Sequence, residues 1–216
     1  MIREVAPNIY ERRVHPEGVT WFLNTFLILT DLANVYIDSG LGSLALEEFD
    51  GLCDKDKTNI LIYTHYHFDH VWGSGALEFS KVIACEPFNT LLQDDFDLSY
   101  AYFKELKEGE VSCVYADTLI EFKTQLGPLT LYPAPGHTQD GLIIHDTRSN
   151  VVIMGDNLPD QGKGLLPEIT DREAYIKTLS LIQSLQAQTL LGSHCDEVDV
   201  KQIDAMMKSL TSAVKV

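Results

Sequence analysis

The residues best equipped for chemistry lie in one short run, Thr64-His65-Tyr66-His67-Phe68-Asp69-His70, with three imidazoles and a carboxylate within six positions. Packing such a cluster without a cation to balance it is costly, because imidazole and carboxylate must be either solvated or paired. The run directly follows an apolar β-branched stretch, Asn59 to Thr64, which reads as a buried strand. The histidines therefore stand at the carboxyl end of a sheet, where loops project ligands. In extended chain His65 and His67 point to one side, and their nitrogens are good zinc donors at ~2.0–2.1 Å. A turn into helix near Phe68 would aim Asp69 and His70 at a second position, suited to an ion ~3.5–4 Å from the first.

Three later positions have the same form of strand, glycine and metal-capable side chain. They are His137 in Pro135-Gly136-His137-Thr138, Asp156 in Gly155-Asp156 and His194 in Gly192-Ser193-His194. A glycine at each is expected to let the backbone approach an ion closely. His15, beside Pro16 in a polar loop, and His145, on a strand before a turn, read as ordinary histidines. Cys195 is adjacent to His194, but neighbours in extended chain point apart, so it is not taken as a ligand.

The elements that must position these residues fall into two blocks. In the first, strands are expected over Thr20 to Thr30 and Asn34 to Asp38, meeting at Asp31-Leu32-Ala33. A helix follows over Ser43 to Cys53 with Ser43 as N-cap, then strands at Asn59 to Thr64 and Lys81 to Cys85, and a helix over Pro87 to Lys107. The second block, from near Ser112, has strands at Leu119 to Lys123, Leu129 to Tyr132, Leu142 to His145 and Val151 to Met154, with a hairpin turn over Asp146 to Asn150. A helix over Asp171 to Gln186 capped by Asp171, a strand at Thr189 to Leu191 and a helix over Val198 to Leu210 complete it. Two sheets covered on their outer faces by helices would satisfy this pattern.

The chain has 216 residues, 45% of them hydrophobic, and no break in composition, which fits one domain over 1–216. With 16 Lys and Arg against 32 Asp and Glu the net charge is −16, and no basic run could track a phosphate backbone, so nucleic acid is not an expected partner. No apolar run approaches ~18 residues and the N-terminus lacks a signal-peptide pattern, so a cytoplasmic protein without membrane attachment is expected. Cys53, Cys85, Cys113 and Cys195 are scattered, without a CxxC pair, and read as buried reduced thiols.

From Asp38 to His194 the sequence resembles the metallo-β-lactamase superfamily, matching its HxHxDH motif and the His, Asp and His that follow in order. The resemblance implies an α+β fold, a four-layer αβ/βα sandwich of two mixed sheets with helices on the outer faces. By position it implies that His65, His67 and His137 hold one metal, that Asp69, His70 and His194 hold a second, and that Asp156 bridges them. Asp38, in Val35-Tyr36-Ile37-Asp38-Ser39-Gly40, resembles the family's first motif and would support the ligand loop through hydrogen bonds.

Two divalent ions, zinc before iron or manganese, would lower the pKa of a shared water toward ~7, and Asp69 would orient the resulting bridging hydroxide as the catalytic carboxylate. Aspartate rather than cysteine at 156 points toward glyoxalase II and lactonases, hence a small thioester, lactone or related ester as substrate. Only 22 residues follow His194, too few for the helical glutathione-binding domain of glyoxalase II proper. RNA-processing members carry a large insertion or a basic arm, absent here, and flavodiiron members usually have Glu in place of His67. An alternative is a mononuclear iron sulfur dioxygenase using His65, His67 and Asp156 or His137, since these ligand types also suit iron. A further alternative is a non-catalytic metal-binding module. The expected pocket walls are the aromatic segment Phe88 to Phe103 and the loop Asn157 to Thr170, whose sole cation, Lys163, is a candidate for a substrate carboxylate.

Overall fold

In the computed structural model, which describes residues 1–212, the chain folds as two compact units, Met1–Glu121 and the residues from Phe122 onward. The first unit is a seven-stranded mixed sheet. Its strands are β1 (Ile2–Ala6), β2 (Ile9–Val14), β3 (Leu23–Leu29), β4 (Ala33–Ile37), β5 (Thr58–Ile62), β6 (Lys81–Cys85) and β7 (Thr118–Ile120), in that spatial order. The first four pair antiparallel through short connections. From β4 onward the pairing is parallel, which demands longer crossovers. These contain α1 (Leu44–Phe49), α2 (Phe68–Val71) and α3 (Phe88–Phe103). Leu27, Tyr36, Phe49, Trp72 and Phe88 anchor the core, each fully buried.

The β1–β2 hairpin was not expected from sequence. Its two-residue turn ends on Asn8 at φ 63°, a conformation asparagine tolerates. Its charges interrupt the apolar alternation that marks a strand, and they are paired within the fold. Arg12, 3% exposed, bonds Glu48 and Glu108 at 3.0 Å each, and Arg3 holds the buried Glu11 at 2.9 Å. The expected helix over Ser43 to Cys53 is shorter, α1 being followed by one 3₁₀ turn, Asp50–Leu52. Ser43 does not cap it, because its Oγ accepts the Glu110 amide instead. The segment 104–106 likewise continues α3 only as 3₁₀ helix.

The second unit is a five-stranded sheet in the order β12-β11-β10-β9-β8, made of β8 (Thr124–Leu126), β9 (Leu129–Pro133), β10 (Leu142–Asp146), β11 (Val151–Ile153) and β12 (Thr189–Leu191). The strand expected at Leu119 to Lys123 ends at Ile120 as β7, so it closes the first sheet rather than opening the second. The β10–β11 hairpin turns at Asn150, φ 54°, where Asp146 receives the Arg148 amide at 2.8 Å and its guanidinium at 2.7 Å. Strands β11 and β12 are parallel and joined through α4 (Arg172–Leu185). Asp171 caps this helix by accepting the Ala174 amide at 2.9 Å, as expected. Tyr175, Leu179 and Ile182 recur on its buried face. The last helix, α5 (Lys201–Ser212), starts three residues later than the periodicity indicates, because Val198 bridges to Leu190.

Candidate metal centre

In the first unit, parallel pairing sets Ile37 beside Ile62, so the chain leaves β4 and β5 at the same level. Asp38 follows with φ 61°, and its amide donates to the Ile62 carbonyl at 2.9 Å. That turn directs the Asp38 carboxylate, 1% exposed, at the start of the histidine loop. It accepts the Thr64 amide at 2.7 Å, the Thr64 hydroxyl at 2.8 Å and His70 Nδ1 at 2.8 Å. The hydroxyl of Thr64 is thereby committed as a donor. Toward His65 Nδ1, at 3.1 Å, its oxygen accepts.

These partners assign the ring tautomers. His65 and His70 both carry their proton on Nδ1, so each presents an Nε2 lone pair. His65 Nε2 lies 3.0 Å from His67 Nδ1. Two nitrogens bound tetrahedrally at 2.0–2.1 Å stand ~3.3 Å apart, so the pair has the spacing of ligands to a common ion. His67 ends the loop and Phe68 begins α2, a single turn that carries Asp69 and His70 inward. His70 Nε2 faces Asp69 Oδ1 at 3.8 Å, both residues being buried. A lone pair opposed to a buried carboxylate is a repulsive arrangement that a cation relieves.

In the second unit His137, Asp156 and His194 follow β9, β11 and β12. His137 Nδ1 donates to the Glu168 carbonyl at 2.9 Å, since a carbonyl can only accept. Its Nε2 lone pair therefore faces Asp156 Oδ2, at 3.7 Å, and His194 Nε2 lies 3.3 Å from the same oxygen. Two imidazoles around one carboxylate oxygen, with the far nitrogen of one tied to backbone carbonyl, is the donor chemistry of a metal ligand set. Both halves fit divalent metal.

Two of the glycines beside these ligands are required by packing. A Cβ on Gly136 would lie 2.6 Å from Tyr175 Cβ, and one on Gly192 would lie 2.6 Å from Cys195 Sγ, so they admit close packing of protein. Gly155 takes φ 54° at the turn after β11. Burial pushes the Cys195 thiol up to about 12, consistent with a side chain packed over Gly192. Lys163 is paired with Asp160 at 2.6 Å. His15 is exposed beside Phe22, and His145 bonds Asn150 at 3.0 Å. Sequence reasoning overlooked Thr64 and the Glu168 carbonyl. Thr64 was visible as a hydroxyl residue abutting the motif, whereas a backbone carbonyl leaves no trace in residue type.

The family model of the metallo-β-lactamase superfamily matches residues 19–84, which contain Asp38 and the whole histidine loop. A metallo-β-lactamase type 2 from Pseudomonas aeruginosa is 26% identical over 64% of this chain and 52% of its own length. A β-lactamase-like protein 2 homolog from Drosophila melanogaster is 21% identical over 82% and 59%. The chain thus spans little more than half the length of these curated relatives. Among solved structures, a metallo-β-lactamase from Erythrobacter litoralis superposes with TM-score 0.76 at 18% identity, covering 98% of this chain and 96% of the other. FIM-1 from Pseudomonas aeruginosa, solved in a mono-zinc form, gives TM-score 0.75 at 17% identity, covering 100% and 96%. The fold is that of the metallo-β-lactamases, as expected from sequence. The chain is thus similar to the metallo-β-lactamase superfamily in the segment that holds Asp38 and the histidine loop.

Proposed function

We propose that the protein is a di-metal hydrolase of small thioesters, lactones or related esters. In this reading His65, His67 and His137 hold one ion, Asp69, His70 and His194 hold the other, and Asp156 is shared. The observation that carries it is the pair of imidazoles around Asp156 Oδ2, at 3.7 and 3.3 Å, with the His137 tautomer set by Glu168. Zinc suits the imidazole and carboxylate donors. Bound there, divalent ions would acidify a water and polarise the ester oxygen.

The remaining work falls to the chain. Asp38 and Thr64 hold the rings of His70 and His65 in their metal-facing tautomers. Asp69 accepts a hydrogen bond from the attacking water and turns its lone pair toward the carbonyl carbon. The substrate is a small molecule, and the charge of −16 supports the exclusion of nucleic acid. No helix among the described residues is long and apolar enough to cross a membrane. We place the protein in the cytoplasm, a reading supported by cysteines that form no disulfide among those residues.

The test pairs metal analysis with turnover of a thioester, a lactone, a phosphodiester and a β-lactam, the last because curated and structural relatives are named as β-lactamases. Two zinc ions per chain with ester cleavage are expected. One iron per chain with oxygen uptake on a persulfide would replace hydrolysis by sulfur dioxygenation.

A further inference from the structure

His137 is gripped twice by one short segment of the second unit. Its ring Nδ1 donates to the Glu168 carbonyl at 2.9 Å, and two residues further on the Thr170 hydroxyl lies 2.9 Å from the His137 carbonyl. The neighbouring Gly136 carbonyl, 3.2 Å from the same hydroxyl, already accepts the Thr170 amide at 2.8 Å and the Asp171 amide at 3.1 Å. The single hydroxyl proton therefore goes to His137. Asp171 in turn caps α4, which seats the grip on a regular element. With ring and main chain both tied, His137 cannot turn without breaking a bond, and its Nε2 is held 3.7 Å from Asp156 Oδ2.

The same loop reaches His194 at its other end. The Gln161 amide donates to the His194 carbonyl at 2.8 Å, and Gln161 Oε1 accepts the Asp196 amide at 3.3 Å. Residues 161–170 thus form a strap fastened at both ends to histidines whose rings face Asp156. Between the fastenings the strap is open. Residues 161–165 are exposed, Gly162 and Gly164 take φ 78° and 125°, and a Cβ on either would meet nothing within 4 Å among the described residues. We infer that Thr170 is a positioning residue for His137, through which the order of the strap is coupled to metal held by His137, Asp156 and His194. This rests on the metal site of the hydrolase reading and extends it. Such coupling is reciprocal: what loosens the strap weakens metal binding, and bound metal tightens the strap. One intramolecular hydrogen bond sets the scale, a change of about three- to tenfold in an equilibrium.

The test uses the full chain with zinc alone. In chelator competition Thr170→Val is expected to bind zinc about fivefold more weakly than wild type, and Thr170→Ser, which keeps the hydroxyl, within about twofold. Thr147→Val is the control. It loses a similar bond, from Thr147 Oγ1 to the Pro128 carbonyl at 2.9 Å, but at the start of β9, whereas His137 follows the end of that strand. Its zinc affinity should match wild type. With cobalt in place of zinc, the visible absorption band reports ligand geometry and should shift in Thr170→Val but not in Thr147→Val. In wild-type protein zinc should slow trypsin at the Lys163–Gly164 bond at least about tenfold, corrected for its rate on a model peptide, because cleavage follows the population with the strap released. That measurement decides the matter if Thr170→Val does not fold. Thr170-dependent zinc affinity in a protein that cleaves no ester would leave the positioning role standing and refute the hydrolase reading. Equal zinc affinity in wild type and Thr170→Val, or tryptic cleavage indifferent to zinc, would overturn the positioning role even where esters are cleaved. A wild-type chain that binds no zinc would overturn both.

Discussion

Replacing Asp38 tests the loop-support geometry most sharply, because its carboxylate accepts three bonds of 2.7–2.8 Å from Thr64 and His70 while itself 1% exposed. Asp38→Ala leaves the Thr64 amide and His70 Nδ1 without an acceptor, at about 1–3 kcal/mol for each buried donor. The φ of 61° adds roughly 1–2 kcal/mol for a residue that lacks aspartate's tolerance of the left-handed region. Removing a buried charge returns part of this cost, several kcal/mol for an isolated ion, so the net loss is set at about 3 kcal/mol. Asp38→Asn keeps the backbone preference and one acceptor oxygen, and about half that loss is expected. Metal affinity should fall about 10–100-fold in Asp38→Ala, since His70 loses the partner that fixes its tautomer. Urea denaturation of metal-free protein and chelator competition for zinc read the two effects separately. An Asp38→Ala protein within about 0.5 kcal/mol of wild type and with zinc affinity within threefold would refute the reasoning.

Other perturbations follow from the same structure. Burial pulls the Arg12 guanidinium down, but hydrogen bonds to Glu48 and Glu108 outweigh it, and the same bond holds the Glu48 carboxyl below its usual range. A depressed folded-state carboxyl contributes stability above its unfolded pKa and loses it as pH falls through the folded value. Arg12→Ala should therefore cost about 2–3 kcal/mol at pH 7 and flatten the acid limb of Tm against pH, a result checked by thermal melts from pH 3 to 7. Gly136→Ala should cost at least about 2 kcal/mol in urea denaturation, because its Cβ would lie 2.6 Å from Tyr175. Burial raises the Cys113 thiol to about 12, so native protein at pH 8 should react with iodoacetamide at that position at least about 100-fold more slowly than unfolded protein, as followed by mass spectrometry.

Strands β6 and β12 and the helix after Asp171 were legible because each is a short apolar run or a capped amphipathic pattern with clear boundaries. The β1–β2 hairpin was not, because Glu11 and Arg12 occupy buried strand positions and are compensated by residues 8 to 96 positions away in the chain. β8 spans only three residues, too few for a period to show. At the site, residue types and spacing marked His65, His67, Asp69, His70, His137, Asp156 and His194, because metal donors at strand ends are rare combinations, whereas Asp38 was picked out only by the family resemblance. The structure adds what spacing lacks: the Thr64 hydroxyl that directs His65, the Glu168 carbonyl that directs His137 and the packing that requires Gly136 and Gly192.

Metal stoichiometry tests the account at its centre. Protein purified without chelators and analysed by inductively coupled plasma mass spectrometry is expected to hold two divalent ions per chain, and Asp156→Ala, folded by circular dichroism, at most one. A wild-type chain that retains no metal in micromolar zinc, or an Asp156→Ala chain that still holds two ions, would contradict it.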